Sequence, residues 1–399
     1  MRTAISFFAF CLLGLSNTVL AGSEVLAYTE QLFEIGGVRH KLRVPQGFQL
    51  ELLTDKLDDP RLLTFADNGD LYVGTRAGKL YRLAPPYTSA QVLVSLEDYP
   101  HSVAFRRGEI LIARTSGLYR APYQPGQQTI PEKSITLLAL LPGGNGHGSR
   151  SVGVGPDQRV YVSLGIQGNC SDQYLSDGYI FNDRRGGILV LSEQQGKKPT
   201  WQTFASGLRN PIGFAWHPQT GVLYAANNGP DHLGFEQPPE YFSRLTPGSF
   251  HGMPWFQFDG QRLKADNCVS SKPPQPITAT VAPVATFPSR NAPMGVAFVP
   301  KGALHKTLES DAIVALHGSW ATQPGGGALG NKDTRRPPKI VVVRFKDGAA
   351  LRVDDLITGF QSETGARWAR PVGVAVGPDG ALYFSSDSAT NGLFRLRRK

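Results

Sequence analysis

The chain reads as an all-β protein, a six-bladed β-propeller. Three features predict this: a hairpin pattern written six times, turn-rich composition, and the absence of any long helical or heptad segment. Gly (45) and Pro (30) make up 75 of 399 residues. That is above ordinary usage but below the range of low-complexity disordered chains. Hydrophobic residues are 41% and charged residues 18%, enough apolar material for a large core. All-β folds can run long as one domain.

The clearest repeat spans 370–387: alternating Arg370-Pro-Val-Gly-Val-Ala-Val376, a Pro378-Asp-Gly turn, then a second strand ending at Asp387. Gly-Leu-Phe-Arg-Leu follows as a third. Alternation bracketed by turn residues marks a hairpin. The same plan recurs at Leu62–Phe65 with Asp70–Gly74, and at Ser102–Phe105 with Glu109–Ala113. It continues at Ser151–Val154 with Val160–Ser163, at Ile212–Trp216 with Val222–Ala226, and at Gly295–Val299 with Ile313–Leu316. Pro60, Pro211, Pro293 and Pro371 fall at one register position. Six units share the chain at about 63 residues each, above the ~40–50 of compact propeller repeats. The excess lies in inserts at 166–186 (polar, Gly-rich), 229–291 (Pro-rich) and 321–338 (Gly, Pro and basic). Four-stranded blades are expected, with a strand from residues 22–50 closing the last one.

Residues 1–21 read as a cleaved signal peptide. Arg2 precedes an apolar run, Ala4 to Leu15, shorter than the ~20 residues a spanning helix needs. Val19-Leu20-Ala21 matches the cleavage pattern. An uncleaved anchor is the alternative. The expectation is one mature domain, 22–399, periplasmic or secreted and without stable membrane insertion. Cleavage removes one Arg and no acid, taking the net charge from +9 to +8. No recognition module or dense basic run accompanies that charge, so nucleic acid is not an expected partner. Cys170 and Cys268, 98 positions apart, are compatible with a disulfide in an oxidising compartment and form no zinc motif; spacing leaves their pairing open.

Equivalent hairpins of a propeller point the same way. Residues before each first strand and after each second strand should therefore gather at one mouth of the channel, a common ligand site. Entry positions carry His147 with Arg150, Arg209-Asn210, Arg290-Asn291 and Arg370. Exit positions carry Arg76, 165–168, Asn228-Gly229-Pro230-Asp231, His317 to Trp320, and Asp387. The arginines and Asp387 have a structural alternative, as ion pairs or loop supports. Asn210 and Asn228 have one as turn formers, and His317 and Trp320 as channel wall. His147, set between glycines, is the strongest candidate base. Arginines can fork onto carboxylates, and the 228–231 turn can present carbonyls to a hard cation such as Ca²⁺.

These residues resemble the glucose/sorbosone dehydrogenase family, the soluble sugar dehydrogenases dependent on pyrroloquinoline quinone (PQQ), in its sorbosone and pyranose dehydrogenase-like branch. The resemblance covers roughly residues 40–397. It rests on Gly144-Asn-Gly-His-Gly-Ser-Arg150, Ser206-Gly-Leu-Arg-Asn-Pro211, Asn227-Asn-Gly-Pro-Asp231, His251-Gly-Met-Pro-Trp255 and His317-Gly-Ser-Trp320. It implies PQQ lying flat at the mouth and His147 as the general base of sugar oxidation. Arg209 and Asn210 would meet the quinone oxygens, and the carbonyls of Gly229 and Pro230 would bind Ca²⁺. Arg76, Arg150, Arg370 and Trp320 are further cofactor-binding candidates. Partners implied are a small sugar and an external electron acceptor of the cytochrome or quinone type. Two stretches depart from the family. The segment after Asp231, usually acidic, reads His232-Leu-Gly-Phe-Glu-Gln-Pro-Pro-Glu240, and 323–338 is longer and more basic than expected. The competing functions are a non-catalytic glycan- or protein-binding propeller and a calcium-dependent lactonase.

Overall fold

A computed structural model describes residues 25–320, 322 and 332–399. The proposed signal segment, and most of the basic loop before Lys339, lie outside the described residues. Among those described, no helix is long and apolar enough to cross a membrane.

Six antiparallel sheets form the blades of a propeller. Blade one comprises Pro60–Phe65, Leu71–Thr75, Lys79–Leu83 and Gln91–Ser95; blade two Ser102–Arg106, Glu109–Arg114, Gly117–Pro122 and Thr136–Leu140. Blade three comprises Val152–Val154, Val160–Leu164, Gly187–Ser192 and Thr200–Ser206, with Ser249–Phe250 added in parallel at its edge. Blade four is Pro211–Trp216, Leu223–Asn227, Glu240–Leu245 and Ala285–Phe287. Blade five is Pro293–Phe298, Ala312–Leu316, Lys339–Lys346 and Ala349–Ile357. Blade six is Pro371–Val376, Leu382–Ser388 and Thr390–Arg398, closed by Phe48–Thr54 from the N-terminal side. The closing strand thus begins where the expected 22–50 segment ends. Ahead of it, Tyr28–Ile35 and Val38–Pro45 form a separate hairpin.

The register of the prolines has a backbone cause. Each opens the innermost strand of its blade, where a missing N–H is tolerated. In all four the ladder then shifts register, between Pro60 and Leu63, Pro211 and Gly213, Pro293 and Val296, and Pro371 and Val374. At the hub the innermost strands approach closely. A Cβ on Gly213 would stand 2.1 Å from the Met294 carbonyl oxygen, so the approach requires glycine there.

Blades are held together by aromatic pairs repeated at equivalent positions. A tyrosine on the second strand meets a ring on the first strand of the next blade: Tyr72 with Phe105, Tyr161 with Trp216, Tyr224 with Phe298, and Tyr383 with Phe65. Their centroids lie 4.8, 5.2, 5.6 and 5.1 Å apart, within the favourable edge-to-face range. All four tyrosines are buried. Cys170 and Cys268 are joined, their Cα atoms 6.1 Å apart, tying the insert of blade three to the long insert of blade four.

Candidate active site

At the mouth, the loop carrying His147 sits on the loop that leaves the second strand of blade three. A Cβ on Gly146 would stand 1.7 Å from the Gln167 carbonyl oxygen, and Gly146 has a φ of +86°, so only glycine fits. Gly165 has the same property on the other side: its Cβ would stand 2.4 Å from Asn210 Oδ1 and 2.6 Å from His147 Cβ. His147 and Asn210, 63 positions apart, are therefore neighbours across one glycine.

The His147 ring is half-buried, and its Nδ1 lies 2.6 Å from the Ile166 carbonyl oxygen. A carbonyl only accepts, so Nδ1 carries the proton and Nε2 keeps its lone pair. Burial lowers the His147 pKa to about 4; the Arg209 charge pushes the same way, against the Ile166 hydrogen bond. The imidazole is neutral at pH 7.

Two buried guanidinium groups hold this loop from behind. Arg150 Nη1 donates to the carbonyls of His147 (2.8 Å) and Ser149 (2.9 Å), and Nη2 to Pro142 (2.7 Å). Arg185 donates from Nε to Gly165 (2.7 Å), from Nη1 to Gly143 (3.3 Å) and Asn145 (3.2 Å), and from Nη2 to His147 (2.9 Å). Both are fully buried, and burial lowers their pKa values to about 9 and about 10. Arg150 was expected among the cofactor-binding candidates. Its fork is spent on main-chain oxygens beneath the loop, so it positions His147 and does not face the mouth. Arg185 was missed because its Asp183-Arg-Arg-Gly context looks like an ordinary polar insert.

Arg209 is nearly buried and is oriented by Asn169, with Nε on its carbonyl (2.8 Å) and Nη2 on its Oδ1 (3.1 Å). Nη1 has no hydrogen bond among the described residues. The Asn210 main chain is fixed by Asn227 Oδ1 and by Asn228. Its side-chain amide makes no hydrogen bond among the described residues.

A second group gathers where blades five, six and one meet. His317 Nε2 lies 2.7 Å from Asp387 Oδ1, and the other Asp387 oxygen pairs with buried Arg61. Burial lowers the His317 pKa to about 4 despite that carboxylate. Arg370 donates from Nε to the His317 carbonyl and from Nη2 to Gly318, both at 3.0 Å. Burial lowers its pKa to about 10, with Arg61, Arg335 and Arg76 adding to the effect. Arg76 is exposed, 5.9 Å from the Tyr99 ring centroid. Trp320 is 54% exposed at the edge of the mouth.

The 229–231 turn differs from expectation. The Pro230 carbonyl accepts from Arg290 Nη1, and the Gly229 N–H donates to Glu240. The Pro230 carbonyl, expected as a calcium ligand, therefore already faces a cationic side chain. Glu240, fully enclosed, is another residue that sequence reasoning missed; it sits behind a Pro-Pro pair that reads as a linker. Burial raises its pKa to about 7.

A cavity of about 1280 Å³ lies elsewhere. It is lined by outer strands of blades two and three, including Leu140, Trp201 and Lys198. The first strands of the blades enclose a narrower space at the hub, about 160 Å³, lined by Ser102, Ser151 and Gly213 among others.

Fold and rim together define a six-bladed propeller with a histidine–arginine–asparagine mouth. The chain belongs to the TrAA12-like family, whose model matches residues 42–247 and 255–399. A calcium structure of the Trichoderma reesei Carbohydrate-Active Enzymes Family AA12 protein is 19% identical, with a TM-score of 0.74, covering 89% of this chain and 96% of that one. The holo form of the pyranose dehydrogenase PQQ domain from Coprinopsis cinerea is 21% identical, with a TM-score of 0.70, covering 90% and 98%. Both likenesses are of fold. In sequence, the quinoprotein glucose dehydrogenase B of Acinetobacter calcoaceticus is 23% identical over 237 residues, 47% of this chain and 49% of that protein.

Proposed function

We propose that this protein is a PQQ-dependent dehydrogenase that oxidises an aldose at C1 or a sugar aldehyde of the sorbosone type. It would be exported, periplasmic or secreted, and would deliver electrons to an external cytochrome- or quinone-type acceptor. The observation that carries this reading is the His147 geometry: a neutral imidazole with Nδ1 committed to Ile166 and Nε2 open, beside Arg209 and Asn210.

The donor set suits PQQ, a flat polyanionic quinone. Arg209 Nη1 and the Asn210 amide offer uncommitted donors for quinone oxygens, while Arg76, Arg370 and Trp320 offer charge and a ring face for its carboxylates and plane. When bound, PQQ supplies two-electron oxidising chemistry that no side chain here possesses. The chain's own task is to take a proton. His147 Nε2 accepts it from the substrate hydroxyl, and the Nδ1–H···O=C bond to Ile166 steadies the imidazolium that forms. Arg150 and Arg185 keep that loop from moving.

Calcium is not part of this proposal at the 229–231 turn, because Arg290 already engages the Pro230 carbonyl. A lactonase would need several carboxylates free to share one metal. Here Asp231, Glu240 and Asp387 are each engaged by arginine, histidine or main-chain N–H groups. The test is reconstitution. Added PQQ should show a bound-quinone spectrum that a sugar panel reduces, and His147→Ala should keep that spectrum while losing turnover. A chain that takes up no PQQ would instead be a glycan- or protein-binding propeller, and wild-type rates in His147→Ala would overturn the assignment of the base.

A further inference from the structure

Blade four's long insert wraps a ring of oxygens around one side chain. Arg290 Nη1 donates to the Pro230 carbonyl and, at 2.6 Å, to Asp231 Oδ1. Its Nη2 donates to the carbonyls of Asp231 (2.8 Å), Gly234 and Gln237 (3.3 Å). Four main-chain carbonyls and one carboxylate thus converge on a single guanidinium. The side chain is only 5% exposed. Convergent carbonyls with a carboxylate are the donor set that a hard divalent cation seeks. The main chain pays for the arrangement at Arg290 itself, whose φ of +67° lies in the left-handed region that non-glycine residues rarely occupy.

Two more arginines border the same loop. Arg209 feels the Arg290 charge. Arg336 donates to Glu236 at 2.6 Å and lies over the Phe235 ring at 4.6 Å. A divalent ion entering here would have to expel Arg290 from its oxygens and then sit beside Arg209.

We propose that the 230–237 loop carries its own cation, Arg290, in the place of a metal ion, so that this rim is assembled without calcium. The loop's shape is then a property of the folded chain alone and independent of metal supply. This inference rests on the chain's side chains and holds whether or not PQQ is the cofactor.

The test uses the full mature chain without PQQ, titrated with CaCl₂ by calorimetry and by thermal denaturation. Arg290→Ala should bind one more Ca²⁺ per chain than wild type and show a calcium-dependent rise in Tm that wild type lacks. Arg290→Lys, which keeps a charge in the ring, should gain no site. Equal calcium stoichiometry in wild type and Arg290→Ala overturns the proposal. If Arg290→Ala does not fold, Asp231→Asn decides: it should leave the wild-type calcium content unchanged, and the loss of one bound ion would show that metal occupies the loop. Quinone uptake is measured separately, so failure of either idea is distinguishable from failure of the other.

Discussion

Substituting Gly165 by alanine tests whether the mouth is a positioned site. The added methyl would lie 2.4 Å from Asn210 Oδ1 and 2.6 Å from His147 Cβ, whereas ordinary contact begins near 3.4 Å. One or both side chains must therefore retreat by roughly 1 Å. Overpacking of this kind costs about 1–3 kcal/mol of stability, which a folded propeller of this size should survive. A catalytic group displaced by about 1 Å can lose roughly 100-fold in rate, equivalent to about 2.7 kcal/mol in the barrier. After reconstitution, Gly165→Ala should stay folded and lower kcat by one to two orders of magnitude. Gly143→Ala is the control: it lies in the His147 loop, yet its Cβ would meet only Ser116 atoms at 3.8 and 3.9 Å. A Gly165→Ala enzyme with kcat within about twofold of wild type would refute the idea that His147 and Asn210 act together across this glycine.

Other consequences concern pH and stability. His147, His251 and His317 are each lowered to about 4, chiefly by burial, from an ordinary value near 6.5. Lowered pKa values favour the neutral folded form. Stability is therefore full above about 6.5 and declines as pH falls toward about 4, by at most about 1.4 kcal/mol per histidine per pH unit; urea midpoints that stay flat across this window would contradict the burial. The acid limb of kcat/KM should likewise fall well below 6.5 if His147 is the base, and a limb at 6.5 would point to an exposed group. Asp387→Asn leaves Arg61 buried without its counter-ion and should cost about 3–5 kcal/mol, measured by urea unfolding; a loss under about 1 kcal/mol would show that the pair is dispensable. Replacing Cys170 and Cys268 by serine should cost about 2–4 kcal/mol, and reductant should lower the Tm of wild type but not of the double variant.

The propeller was legible because its information is local and repeated. Alternating hairpins recur six times and the in-register prolines four times, and within each blade the first three strands pair in chain order. In the same register, His147, Arg209-Asn210 and Arg370 lie just ahead of the first strands of their blades, and Asp387 lies at the end of a second strand. Side-chain commitments were not legible, because they depend on what the inserts fold against. Arg150 and Arg185 look as available as Arg209, yet both are consumed by carbonyls that face inward only once the 143–150 and 165–186 loops have packed. Pro230 looks like a metal ligand until Arg290, 60 positions later, reaches it. The sequence alone determined which strands pair and which loops share a rim, since both follow from periodicity and chain order. Only the tertiary structure decided which polar atoms on that rim remain open, because a hydrogen bond between distant loops depends on distances that periodicity does not encode.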